Sequence, residues 1–126
     1  MEKDIKSVYI HIPFCSNICS YCDFAKMFYN HDMVLKYLKA LEKEINEKYQ
    51  NELIETLYIG GGTPSCLNID ELKVLFAIIK KINLSKNLEF TFECNVNDIS
   101  EEKIAFLSTN GVNRISLGVQ TFNEEI

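Results

Sequence analysis

Two histidines, His11 and His31, are all that the 126 residues contain, and positive charge is not in excess. Asp and Glu outnumber Lys and Arg, and the formal net charge of −5 leaves no basic footprint for nucleic acid. No apolar run approaches the ~20 residues of a membrane span. The opening Met-Glu-Lys-Asp-Ile-Lys has no signal-peptide core. Repeats, low-complexity tracts and an interdomain linker are also missing. What remains, at 47% hydrophobic and 25% charged residues, is ordinary for one modest globular domain. The five cysteines are an odd number and follow no export signal. A disulfide framework is therefore disfavoured, and a cytoplasmic protein with free thiols is expected.

Three of those cysteines, Cys15, Cys19 and Cys22, form a C-x3-C-x2-C array. The run before it, Val8-Tyr-Ile-His-Ile-Pro-Phe14, reads as a buried strand ended by Pro13, which has no amide hydrogen to donate. The array then lies on a loop leaving a strand end, where three thiolates can converge on one metal centre. A single buried cysteine is ordinary core filling, but three at this spacing on a loop are not. A zinc knuckle would need a fourth ligand, from His11, His31, Cys66 or Cys94. A centre with three protein ligands instead keeps one coordination position for another molecule.

The rest of the chain alternates strands and helices. Val8–Ile12 reads as a first strand covered on both faces. A helix is expected from His31 or Asp32 to about Lys48, with Val34, Leu38, Leu41 and Ile45 on one face. Its charged residues form a solvated side. A second strand, Glu55–Ile59, runs into three glycines. Asn68 and Glu71 are spaced as a capping box before the stripe Leu72, Leu75, Phe76 and Ile79. Leu84–Asn87 reads as a turn and Leu88–Glu93 as a third strand. Ser100 caps a short helix that has Glu101 and Glu102 in its first turn, where the helix dipole favours anions. Gly111 follows that helix as a left-handed residue, and Asn113–Val119 is a fourth strand. The order βαβαβαβ implies parallel strands joined by right-handed crossovers.

Every residue with chemistry to offer falls at the C-terminal end of a strand, where active sites of parallel β/α folds assemble. These are the three cysteines, Gly60–Ser65, Glu93 with Asn95, and Gln120. The glycines allow unusual backbone angles and close approach of a ligand. A phosphate loop is one use of such a stretch. However, the lysine and glycine spacing of a P-loop and the dinucleotide fingerprint are both lacking. A tight turn with no ligand is the other reading. Cys66 and Cys94 have no partners at metal-site spacing and read as core. His11 reads as structural, and Arg114 as one half of an ion pair or hydrogen bond.

The run Tyr9-Ile-His-Ile-Pro-Phe-Cys15-x3-Cys19-x-Tyr21-Cys22-Asp23-Phe24 resembles the cluster loop of radical S-adenosylmethionine (radical SAM) enzymes. More narrowly, it is similar to the oxygen-independent coproporphyrinogen III oxidase family. Ile59-Gly-Gly-Gly-Thr-Pro-Ser65 and Gly111-Val-Asn-Arg-Ile-Ser-Leu-Gly-Val-Gln-Thr-Phe122 agree, in the right order. The resemblance implies that Cys15, Cys19 and Cys22 bind three irons of a 4Fe–4S cluster, and that S-adenosylmethionine chelates the fourth. An electron from the cluster then cleaves the sulfonium to methionine and a 5′-deoxyadenosyl radical, which abstracts hydrogen from a substrate. It also implies that Gly61, Gly62 and Thr63 contact the methionine amino group and its surroundings. Tyr9, Tyr21, Glu93 and Gln120 match further S-adenosylmethionine contacts.

The oxidases carry another cysteine two residues after the third cluster cysteine, whereas this chain has Phe24. Asp23-Phe24 and the direct start before the first strand resemble instead the branch of heme chaperones called HemW. Val96 stands where the family's E-x-N-P pattern has proline. The resemblance implies a partial TIM-type barrel of about six β/α units and a C-terminal domain. Residues 1–126 are expected to be the N-terminal (βα)3β part of such a barrel and to fold poorly alone. The expected function is that of a HemW-like protein in heme metabolism. It would use the cluster, S-adenosylmethionine and, in the full-length protein, heme, together with a reductant such as flavodoxin or ferredoxin and a heme acceptor. Anaerobic coproporphyrinogen III oxidase, which decarboxylates two propionates, is the alternative enzyme. A structural zinc module is the alternative from another class.

Overall fold

The computed structural model describes residues 6–15 and 27–118. The first strand, β1 (Ser7–Ile12), is followed by a two-residue strand, β2 (Phe14–Cys15). Beyond the cysteine array in the chain come a short β3 (Met27–Phe28) and the helix α1 (His31–Lys48). Strand β4 (Ile54–Gly61) leads through a 3-10 turn at Pro64–Cys66 to α2 (Ile69–Ile79). Strand β5 (Leu84–Asn95), a 3-10 turn at Val96–Asp98, α3 (Glu101–Thr109) and β6 (Arg114–Gly118) complete the described chain.

Four strands form one parallel sheet in the order β1-β4-β5-β6, while β2 and β3 pair separately. Each main strand lies beside its predecessor in the chain. Right-handed crossovers then place successive helices on the same face, as in a segment of barrel wall. The buried residues agree. Ile10, Ile12, Leu57, Ile59, Phe90 and Phe92 face Leu38, Leu72, Leu75, Phe76 and Leu107 in one core. Phe76 joins the sheet to α3, stacking on Phe90 and meeting Phe106 edge-on.

Among the described residues no helix covers the opposite face. Ser7, Tyr9 and His11 are exposed while Ile10 and Ile12 are buried. The first strand is thus covered on one face only, not on both. Its apolar run is misleading because Tyr9 is aromatic but 55% exposed. His11 likewise stands on the open face rather than in the core. Its ring lies 3.3 Å from the Tyr9 hydroxyl, and its carbonyl accepts from Tyr37.

Local signals act where the sequence puts them. Asn30 caps α1 by accepting from the Met33 amide. Asn68 and Glu71 form a reciprocal capping box, each bond 2.8 Å long. Ser100 caps α3. Gly111 has φ +103°, the left-handed conformation that lets α3 stop. Leu84–Asn87 is a correction: the third strand begins at Leu84, which pairs with Ile54, before pairing resumes at Thr56 with Glu89. Four partner-strand residues sit between those pairings against one on β4. The polar Ser-Lys-Asn stretch is therefore an irregularity within the strand rather than a turn before it. Arg114 has the expected partner, with Nη1 2.7 Å from Glu89 Oε2. On β6, Ile115 and Leu117 are exposed, and this strand is an edge of the sheet as described.

Phe92 is fully buried at the centre of the sheet. Phe92→Ala is expected to cost about 3–5 kcal/mol, a large share of the stability of any single domain. Chemical denaturation of the variant checks this.

Candidate functional site

The parallel register brings Ile12, Gly61, Asn95 and Gly118 to one end of the sheet. There the chain makes a close contact between β4 and the β1–β2 segment. The Gly62 amide donates to Ile12 O at 2.8 Å, and the Thr63 amide to Phe14 O at 2.7 Å. No side chain fits between. A Cβ on Gly62 would lie 2.6 Å from Phe14 O, and one on Gly61 would lie 2.7 Å from Ile12 O. Gly61 also has φ +120°, a conformation L side chains rarely adopt.

Beside this contact lies a cleft of about 200 Å³, lined by Gly61, Gly62, Thr63, Glu93, Cys94, Asn95, Ser116 and Gly118. Glu93 is anchored on one side of it. Its Oε1 accepts from the Gly61 amide at 3.1 Å and its Oε2 from the Tyr58 hydroxyl at 2.6 Å. The Tyr58 hydroxyl is held above its ordinary pKa, first by that bond and then by burial. Tyr9 stacks on Tyr58 with ring centroids 5.7 Å apart and is raised likewise by burial and the nearby Glu93 charge. Tyr9, Tyr58 and Glu93 thus form one wall on the open face of the sheet.

These bonds decide between two readings of the glycine loop. An anion cradle needs free amide hydrogens. Here the amides of Gly61, Gly62 and Thr63 all donate within the chain. These amides are therefore not free to cradle an anion, and the cleft is lined by the Glu93 carboxylate together with Asn95 and Ser116, which can donate as well as accept. Without those free amides the loop is poorly suited to a phosphate, and the Glu93 carboxylate gives the cleft an acceptor for a ligand that brings ammonium or hydroxyl donors. The tight-turn reading also holds, since the chain's own packing demands the glycines.

Cys15 is buried beside this loop, and its Sγ accepts from the Thr63 hydroxyl at 3.5 Å. Cys19, Cys22, Tyr21 and Gln120 lie outside the described residues. Among the described residues no three His, Cys, Asp or Glu side chains come close enough to hold a metal. The array nevertheless fits a cluster in its donor chemistry. Three cysteines at this spacing supply soft thiolate ligands, and the one described is in no disulfide and adjoins the cleft through Thr63. Cys94 is core, as expected, while Cys66 is only partly buried against it. Burial pushes the Cys66 thiol up to about 12 and the Cys94 thiol up to about 11.

Sequence reasoning missed Tyr58 and Lys103 as supports of the site, and it placed Ser65 at the strand end without its partners. Tyr58 holds Glu93, and strand alternation could have revealed it: Tyr58 shares a face with Gly60, two residues on. Ser65 is buried; its hydroxyl accepts from the Asn95 amide at 2.9 Å and its carbonyl from Lys103 Nζ at 2.7 Å. Lys103, on the partly covered helix α3, had no local signal, because its partners lie in other elements.

Gly61→Ala combines left-handed strain of about 1–3 kcal/mol with a backbone collision. It is expected to lower the melting temperature clearly and to disorder the loop, read by thermal denaturation and amide exchange. Cys66 and Cys94 should stay protonated near pH ~8 and react slowly with iodoacetamide; peptide mass spectrometry measures the rates.

With this geometry in view, the relatives are informative. The model of the Radical SAM superfamily matches residues 9–126. The heme chaperone HemW of Lactococcus lactis subsp. lactis (strain IL1403) is 47% identical, over 100% of this chain and 33% of that protein. HemW of Bacillus subtilis (strain 168) is also 47% identical, over 97% of this chain and 34% of that protein. The solved structure of Escherichia coli coproporphyrinogen III oxidase (HemN), a radical SAM enzyme, superposes with a TM-score of 0.83 at 31% identity. That match covers 94% of this chain and 28% of HemN. The chain spans about a third of the length of the curated relatives it matches. Its parallel α/β sheet resembles the N-terminal portion of the HemN fold, and among the described residues no helix is long and apolar enough to cross a membrane. By its sequence match and its fold, the chain belongs to the radical SAM superfamily.

Proposed function

We propose that this chain is the N-terminal, cluster-binding and S-adenosylmethionine-binding part of a HemW-like protein that handles heme. The observation that carries the reading is the adjacency of Cys15 to a cleft whose loop amides are all used internally. Cys15, Cys19 and Cys22 would hold a 4Fe–4S cluster. Gly61, Gly62 and Thr63 would present their acceptors to the amino group of S-adenosylmethionine, and Glu93, fixed by Tyr58, would accept further donors from it. Tyr9 would offer its exposed ring to the same molecule, and Tyr21 and Gln120 would complete the contacts. When bound, the cluster supplies the electron for reductive cleavage of S-adenosylmethionine. The protein's part is to hold both groups in register beside the open face of the sheet.

The full-length protein would add the remaining strands and a C-terminal domain. A reductant such as flavodoxin or ferredoxin, bound heme, a heme-acceptor protein and a cytoplasmic location complete the proposal. The identity to HemW proteins and Phe24 favour the chaperone branch. The structural likeness to HemN favours the second reading, coproporphyrinogen oxidation. Production of protoporphyrinogen IX from coproporphyrinogen III would decide for the oxidase.

Anaerobic reconstitution is expected to load about four irons and four sulfides per chain. Cys15→Ala should lose that cluster, and adding S-adenosylmethionine to the wild type should change the cluster absorbance. Zinc in place of iron and sulfide would support the structural module and refute this proposal.

A further inference from the structure

Glu71 is fully buried, yet nothing in the proposed chemistry uses it. A carboxylate with no solvent must be satisfied by donors inside the protein. The capping box provides the Asn68 amide, 2.8 Å from Oε1. Both other donors reach Oε2 from far along the chain. The Tyr29 hydroxyl donates at 2.7 Å, and the His31 ring contacts the same oxygen. A helix cap needs neither. Both belong to the segment that follows the cysteine array and opens α1.

Tyr29 continues the connection. Its backbone amide donates to Cys15 O at 2.9 Å, alongside the pairing of β2 with β3. The backbone of Cys15 is thus held through Tyr29 to the start of α2. Its sulfur is held separately by Thr63, just before the 3-10 turn that leads into α2. Two paths from neighbouring parts of one connection meet at one cysteine.

We infer that Glu71 is a positioning residue for Cys15, acting through Tyr29, and that it fixes the first ligand of the array before a cluster is loaded. The inference rests on the cluster reading for its purpose, but the geometry concerns the chain alone. Glu71 touches no ligand atom itself; it sets where Cys15 can be.

The test uses the full chain carrying Tyr29→Phe, which keeps the packed ring and removes the hydroxyl, and separately Glu71→Gln, which keeps an acceptor for the cap. Two rates are followed. In unloaded protein, iodoacetamide labelling of Cys15 is measured by peptide mass spectrometry, with Cys66 and Cys94 as internal references. In reconstituted protein, iron loss to a chelator is measured by absorbance. The expected result in Tyr29→Phe is labelling of Cys15 and loss of iron each about tenfold faster, equivalent to about 1.4 kcal/mol. Cys66 and Cys94 should label at unchanged rates. Equal acceleration at all three cysteines would overturn the inference, since Glu71 would then serve only general stability. So would wild-type rates in both variants. Wild-type protein that takes up no iron would bring down the cluster reading itself, and the assigned purpose of Glu71 with it. Wild-type loading with unaltered variants would bring down the positioning role alone.

Discussion

The close approach of β4 to the β1–β2 backbone is the constraint on which the rest depends. Two amide-to-carbonyl bonds, from Gly62 to Ile12 and from Thr63 to Phe14, form where a single Cβ would intrude. That contact places Thr63 beside Cys15 and turns the chain into the 3-10 segment before α2. It also decides which groups the loop can offer. Amides engaged by the chain cannot bind a ligand, so the stretch 61–63 is no anion cradle. A loop that resembles a phosphate cradle on paper has, once folded, no free amide at Gly61, Gly62 or Thr63 to offer one.

The surrounding elements reinforce this end of the sheet by different routes. Tyr58 and the Gly61 amide hold Glu93 from two directions, one on each carboxylate oxygen. Ser65 and Lys103 tie the loop to β5 and α3. Glu71 ties the start of α2 to Tyr29, and thereby to Cys15. The helices packed on the far face support the sheet through Phe76, Phe90 and Phe92 while leaving the opposite face open. A core on one side and polar groups on the other follow from a sheet whose strands add in sequence order.

Much of this was legible in the residues. The caps of α2 and α3 and the apolar stripes of the helices are local patterns, and they formed where the spacing put them. Membership of the radical SAM superfamily was legible from three ordered motifs. The failures were all cases where a neighbour not yet in view decided the outcome. Tyr9 and His11 look buried in an apolar run, but among the described residues the helices cover only one face of β1. Leu84 looks like part of a turn until Ile54 is present to pair with it. Glu71 looks like a helix cap and no more until Tyr29 and His31 reach it from some forty residues away.

By itself, the sequence determined the alternation of strands and helices, the caps, the cysteine spacing and the family. Each depends on residues a few positions apart, or on motifs carried whole. Only the tertiary structure decided which face of β1 is open, that the glycine-loop amides are all used internally, and that Cys15 is held through Tyr29 to Glu71. Those facts depend on hydrogen bonds and steric contacts between separate elements. Parallel strands joined by helical crossovers bring together residues thirty to fifty positions apart, and no local pattern records which of them will meet.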